Sequence, residues 1–251
     1  FVKEVTMIRL IITAIYTVLS VILCLPYHLY LWLLLKKDRY KSWYKSWRFV
    51  RVFFLGVIKL AGTKIEIRGA ENLSLVPKKT GILFVGNHRS YFDIIILQTI
   101  VDRPLGFIAK KEFKKVPLFS WWVADIGSLF LDRKNIRAGL ETINEGTECM
   151  KEGLSLGLFP EGTRNHGKEM LPFKTGGYRM AEKSDSPMVL VAMTGFDNIL
   201  ENNKPFGLKK TNVIVEFDKP VYPHQLDSKE RKAFYNDIPG RIQEMLDSHS
   251  N

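Results

Sequence analysis

Short strands alternating with helical patterns predict an α/β fold: a largely parallel central sheet flanked by helices, preceded by an N-terminal membrane-associated helical segment. Three observations carry this. Seven short segments from residue 63 onward read as strands, and several are continuously apolar, as strands buried on both faces are. Helical patterns fall between them. Ahead of them, residues 10–35 form a run of 26 residues without Lys, Arg, Asp or Glu, and a basic, aromatic stretch follows at once.

The apolar run, "LIITAIYTVLSVILCLPYHLYLWLLL", exceeds the about 20 residues a bilayer-crossing helix needs. Pro26 lies inside it and should break or kink the helix. Two geometries stay open, a span or a helical hairpin folding back at Pro26. Residues 36–51, "KKDRYKSWYKSWRFVR", carry seven basic residues, one acidic residue, two tryptophans and two tyrosines. Basic residues beside an apolar run mark a cytoplasmic side, and Trp and Tyr favour the membrane interface. The expected location is therefore the cell membrane, with the rest of the chain on the cytoplasmic face.

The texture becomes globular near Gly62. This places anchoring helices in residues 1–62 and the α/β domain in 63–251. The strand segments are 63–69, 81–86, 105–109, 128–131, 154–159, 188–193 and 212–217. The helical segments within the domain are about 91–101, 134–152, 175–183 and 228–247.

Lysine and arginine total 37 against 26 acidic residues, a formal charge of +11. Such a balance suits an anionic partner. Much of the excess sits in residues 36–51 beside the apolar run, which points to anionic membrane lipids rather than nucleic acid. Cys24 and Cys149 do not read as a pair, and no Cys/His spacing suggests zinc.

In open α/β sheets, reactive groups gather where strands end and helices begin. "GILFVGNHRSYFD" has that context. His88 falls just before the first helical turn, and Asp93 lies about one and a third turns further on. A bend at the helix start brings imidazole to carboxylate. Asp93 then sets the tautomer of His88 and leaves its other nitrogen as a general base. Taken alone, a His-x4-Asp pair is more often structural than catalytic. A second polar turn, "LGLFPEGTRN", ends a strand with Glu161, Gly162, Thr163 and Arg164. Glycine frees the backbone there, the hydroxyl and amides suit oxyanions, and arginine forks onto phosphate or carboxylate. Two further strands end in Lys110-Lys111-Glu112 and Asp132-Arg133. Four such turns offering cations or a base imply a phosphate-bearing substrate.

Together the four stretches, "NHRSYFD", "KKEFKKVP", "GSLFLDR" and "FPEGTRN", resemble the glycerophospholipid acyltransferase family. That family carries N-H-x4-D, K-x-E-x4-P, G-x-x-F-x-x-R and F-P-E-G-T-R-S in this order. The resemblance covers roughly residues 60–220. Asn165 replaces the usual serine, and "SPMVLVAM" matches the family's later proline-containing strand block only loosely, which leaves the choice of acceptor open. The resemblance implies transfer of a fatty acyl group from a thioester, acyl-CoA or acyl carrier protein, to the sn-2 hydroxyl of 1-acylglycerol 3-phosphate (lysophosphatidic acid). It implies His88 as base, oriented by Asp93, and Arg164 with Lys110 and Arg133 as candidates for the acceptor phosphate. Gly162 and Thr163 would orient substrate or stabilise an oxyanion. Glu161 belongs to the same substrate-binding turn, more as its organiser than as a proton carrier. No cofactor is implied beyond the donor substrate, and no metal.

"GLSLG", residues 153–157, matches the nucleophile-elbow pattern, but the elbow needs strand, turn, helix, and here a helix ends at Gly153 before the strand. Ser155 therefore reads as structural. Other readings weighed are glycerol 3-phosphate or another lysolipid as acceptor, and a non-catalytic basic membrane-binding module.

Overall fold

The computed structural model describes residues 2–116, 118–167, 169–203 and 207–249. Three helices come first: α1 (Val2–Leu23), α2 (Leu25–Leu35) and α3 (Arg39–Ala61). The break between α1 and α2 falls at Cys24, with Pro26 in the first turn of α2, where a missing N–H costs no helical bond. Residues Glu4–Leu23 are long and apolar enough to cross a membrane by length and composition, and only 6 % of the apolar window is buried. α1 packs on α3, with Leu10 and Tyr16 against the core, and its Thr6 carbonyl accepts the Leu208 N–H at 3.0 Å. Tyr16 stacks on Phe53 of α3 and donates to its carbonyl at 3.3 Å, and a side chain at Gly56 would strike the Tyr16 ring.

The basic, aromatic stretch forms the first half of α3, capped by the Asp38 carboxylate on the Lys41 N–H at 2.9 Å. Its two tryptophans do not lie where the aromatic-belt expectation puts them. Trp43 and Trp47, four residues apart on one helix face, are buried at 2 % and 6 % exposure, while Lys41, Tyr44 and Arg48 face outward. Amphipathic α3 thus packs on the α/β domain with its aromatic stripe inward. Val57, Ile58 and Ala61 continue that stripe into the core.

All seven expected strands form: β1 (Lys64–Arg68), β2 (Leu83–Gly86), β3 (Leu105–Lys110), β4 (Leu129–Leu131), β5 (Ser155–Leu158), β6 (Met188–Thr194) and β7 (Asn212–Phe217). They make one sheet in the order β1-β7-β6-β2-β5-β3-β4. Every pairing is parallel except β6 with β7. The remaining helices are α4 (Phe92–Ile100), α5 (Phe119–Asp125), α6 (Ile136–Lys151), α7 (Arg179–Lys183) and α8 (Ser228–Ser248). The expected helix at 175–183 starts as a tight turn, Thr175–Tyr178, and α5 was not foreseen.

One face of the sheet packs against α3 and α4, the other against α6, α7 and α8. Along β6, Val189, Val191 and Met193 face the first layer, and Met188, Leu190 and Ala192 the second. That is why the central strands read as unbroken apolar runs. Ser155 is fully buried, and its hydroxyl accepts the Ile82 N–H at 3.0 Å, so it is a structural link between β5 and the segment entering β2. Cys24 and Cys149 are both free thiols.

Candidate active site

The strand order explains why distant motifs meet. β2 and β5 are parallel neighbours, with Val85 beside Leu158, so the turns leaving them lie side by side. β3 flanks β5, and β4 flanks β3. On the other side of β2 lies β6. The Asn87 carboxamide fastens the turn to β6, accepting the Met193 N–H and donating to its carbonyl, both at 2.9 Å.

Residues 87–90 are irregular, and the chain enters α4 only at Phe92. This bend folds His88 back over the first turn of α4. His88 Nδ1 lies 2.7 Å from Asp93 Oδ2, and the same oxygen accepts the N–H groups of Arg89 at 2.7 Å and Ser90 at 2.9 Å. The Asp93 side chain is 1 % exposed and that of His88 15 %. Burial pushes the Asp93 carboxyl above its ordinary range, while the His88 bond and charge and the two backbone N–H groups pull the other way. The imidazole lies flat on Phe159, with ring centroids 4.2 Å apart and planes 9° apart. Nδ1 is committed to the carboxylate, and Nε2 makes no hydrogen bond among the described residues.

Glu161 joins the two principal turns. One carboxylate oxygen accepts the His88 N–H at 2.8 Å and the other the Leu171 N–H at 3.0 Å. At 5 % exposure with both oxygens engaged, it ties the His88 turn to the segment that carries Leu171. Asn165, standing where the family pattern has serine, donates its N–H to the His88 carbonyl at 2.7 Å. Its carboxamide ties down the following loop through Gly167 and Glu169.

The expected phosphate ligands divide into two groups. Lys110, at the end of β3, brings Nζ to 3.5 Å from the Thr163 hydroxyl, and Arg133 approaches Gly162, which turns at φ +77°. Arg164 points elsewhere. Its guanidinium stacks over Tyr91 at 3.6 Å and donates to Glu201 at 3.2 Å. Glu201 also accepts the Ser90 hydroxyl and the Tyr91 N–H. Arg89 is likewise taken, by Asp197 and the Gly167 carbonyl. Phe159, Asp197 and Glu201 had no assigned role from sequence. Phe159 was visible inside its motif, but nothing in the spacing marked the two carboxylates, which arrive on the segment after β6. Among the described residues, no group of three or more His, Cys, Asp or Glu side chains suits a metal ion.

A histidine–carboxylate pair thus lies at the carboxyl ends of parallel strands, beside a glycine turn approached by Lys110 and Arg133. Residues 64–194, just over half of the chain, match the family model described as Acyltransferase, and the chain belongs to that family. It is 29 % identical over 205 residues to the 1-acyl-sn-glycerol-3-phosphate acyltransferase of Saccharomyces cerevisiae, covering 80 % of this chain and 66 % of that one. It is 33 % identical over 165 residues to the enzyme of that name from Borreliella burgdorferi, covering 66 % and 61 %. A probable 1-acyl-sn-glycerol-3-phosphate acyltransferase of Mycoplasma genitalium is 30 % identical over 210 residues, 78 % of each chain. The chain thus spans under two thirds of the length of the first two. The fold matches the crystal structure of the 1-acyl-sn-glycerophosphate (LPA) acyltransferase PlsC from Thermotoga maritima, with TM-score 0.71 and 21 % identity over 95 % of this chain and 97 % of that one.

Proposed function

We propose that this protein transfers a fatty acyl group from an acyl thioester, acyl-CoA or acyl carrier protein, to the sn-2 hydroxyl of 1-acyl-sn-glycerol 3-phosphate, giving phosphatidic acid. The observation that carries the reading is the His88–Asp93 pair, with Nδ1 bound to a buried carboxylate and Nε2 left for chemistry. His88 Nε2 takes the hydroxyl proton as the acceptor oxygen attacks the thioester carbonyl carbon. A tetrahedral oxyanion forms, the C–S bond breaks, and the imidazolium returns its proton to the departing thiolate. The products are an ester and a free thiol. Asp93 stabilises the transient imidazolium and holds the Nδ1–H tautomer. The amides of the Gly162–Thr163 turn support the oxyanion or the substrate. No protein nucleophile is required.

The exposed apolar face of α1 and the outward basic residues of α3 support placement at an anionic membrane, with the α/β domain on the cytoplasmic face. There a lysolipid presents its hydroxyl without leaving the bilayer. The test is product identity. Purified protein in detergent, given acyl-CoA or acyl carrier protein thioester, is offered 1-acylglycerol 3-phosphate, glycerol 3-phosphate or a lysophosphatidylcholine, and the lipids are separated. Phosphatidic acid from the first acceptor supports the reading. Product from the others alone sinks it.

A further inference from the structure

Residues 87–90 belong to neither strand nor helix, so side-chain ties decide where the His88 imidazole sits. Every backbone N–H from His88 to Asp93 has an acceptor. Asp93 takes those of Arg89 and Ser90, and Glu161 that of His88. The Ser90 hydroxyl takes that of Phe92, and the Ser90 carbonyl that of Asp93. The remaining one, of Tyr91, donates to Glu201 Oε1 at 3.0 Å. Glu201 Oε2 accepts the Ser90 hydroxyl at 2.8 Å. Asp197, on the same segment, accepts the Arg89 guanidinium through Nη2 at 2.9 Å and Nε at 3.3 Å. Arg89, Ser90 and Tyr91, consecutive residues between the histidine and the aspartate, are therefore all held by two carboxylates from the segment after β6.

That segment is a firm support. It turns at Gly195, φ +84°, and Phe196 and Ile199 lie fully buried in the core on either side of Asp197. Both carboxylates are largely buried. Glu201 faces the start of α4, whose free N–H groups favour negative charge. We infer that Glu201 and Asp197 are positioning residues for His88: they brace the chain between His88 and Asp93 from outside and so hold the imidazole on the carboxylate in its Nδ1–H form. They act through Arg89, Ser90 and Tyr91 and not on substrate. Their effect on turnover rests on the acyl-transfer reading above.

The test uses the full chain in detergent, as wild type, Glu201→Ala, Glu201→Gln, Asp197→Ala and Ser90→Ala. Thiol release gives kcat and the separate KM values for 1-acylglycerol 3-phosphate and the acyl thioester. The His88 ring is followed by NMR of isotope-labelled histidine, its signal assigned by its absence from His88→Ala. A misplaced base should lower kcat about tenfold or more in Glu201→Ala and Asp197→Ala, with both KM values within about threefold. Glu201→Gln keeps an acceptor for the Tyr91 N–H and should recover most of the loss. Ser90→Ala cuts one Glu201 tie without touching Arg164, which Glu201 also holds, and should lower kcat in the same direction. Should Glu201→Ala not fold, Ser90→Ala and Asp197→Ala carry the same prediction. At alkaline pH, where the ring is neutral, wild type should show the Nδ1–H tautomer and the alanine variants a mixture with Nε2–H. A merely structural role would reduce the folded fraction and leave the tautomer unchanged. An unchanged kcat in folded Glu201→Ala and Asp197→Ala overturns the inference. A raised KM with unchanged kcat also overturns it and makes these binding residues. The tautomer separates this inference from the catalytic reading. A protein that transfers no acyl group yet shows the tautomer change keeps the positioning and loses the reaction. The wild-type tautomer in every variant removes the positioning.

Discussion

Replacing Asp93 with asparagine separates charge from geometry at the centre of the site. Oδ2 accepts three hydrogen bonds, from His88 Nδ1 and the N–H groups of Arg89 and Ser90, whereas buried Oδ1 has no hydrogen-bond partner among the described residues. An asparagine carbonyl in the Oδ2 position keeps all three contacts and the same imidazole tautomer. What disappears is the negative charge facing the imidazolium. A hydrogen bond to a charged group contributes about 1.5–3 kcal/mol, so kcat should fall roughly 10- to 150-fold at 1.36 kcal/mol per decade. Stability should move differently. Burial raises the Asp93 carboxyl above its ordinary range, so folding takes up a proton between the ordinary and the raised value. The wild type therefore loses stability as pH rises through that window, and the variant does not. Thiol-release kinetics and urea unfolding, from acid to neutral pH, read both sides. The variant should be slow yet should gain on the wild type in stability as pH rises. Activity within twofold of wild type in a folded variant would refute the electrostatic role of Asp93.

Other outcomes follow from the same contacts. Glu161→Ala leaves the part-buried N–H groups of His88 and Leu171 without their carboxylate acceptor, so urea unfolding should show a loss of roughly 1–3 kcal/mol, and under 0.5 kcal/mol would contradict the organising role. Burial pushes Asp125 up to about 6 from 3.8, against the pull of His28, whose Nδ1 lies 2.5 Å away. Stability on its account is fullest below 3.8 and is lost as pH rises through about 6. Relative to Asp125→Asn, the wild type should thus gain on the order of 3 kcal/mol between pH 7 and 4, and parallel pH profiles would sink this. Arg103, 1 % exposed, donates to the carbonyls of Leu73, Val76, Pro77 and Thr80. Arg103→Met should cost about 3–5 kcal/mol and speed amide exchange across residues 73–83, while unchanged exchange would refute the clamp.

The strands were legible because β2, β5 and β6 are buried on both faces and leave short, unbroken apolar runs. The helix α3 was harder to read. Its lysines, arginines and tyrosines resemble an interfacial stretch, and only the four-residue spacing of Trp43 and Trp47 hints that one face turns inward. The His88–Asp93 turn was readable as a strand-to-helix bend, and the glycine turn as its companion. Their adjacency was not readable, because it depends on β5 pairing beside β2, an order fixed by crossover packing. The same holds for Glu201 and Asp197. Each is an ordinary charged residue in sequence and acquires its place from segments that return to the strand ends. Phe159 shows the intermediate case, quoted within a motif yet understood only once its ring lies on the imidazole.

The most direct test of the account follows free-thiol release from an acyl thioester by the purified full chain in detergent. Wild type and His88→Ala are compared with and without 1-acylglycerol 3-phosphate. The account predicts release that depends on the acceptor in wild type and is lost, by about a hundredfold or more, in the folded variant. Release that persists in His88→Ala, or none in a folded wild type with either carrier, would contradict it.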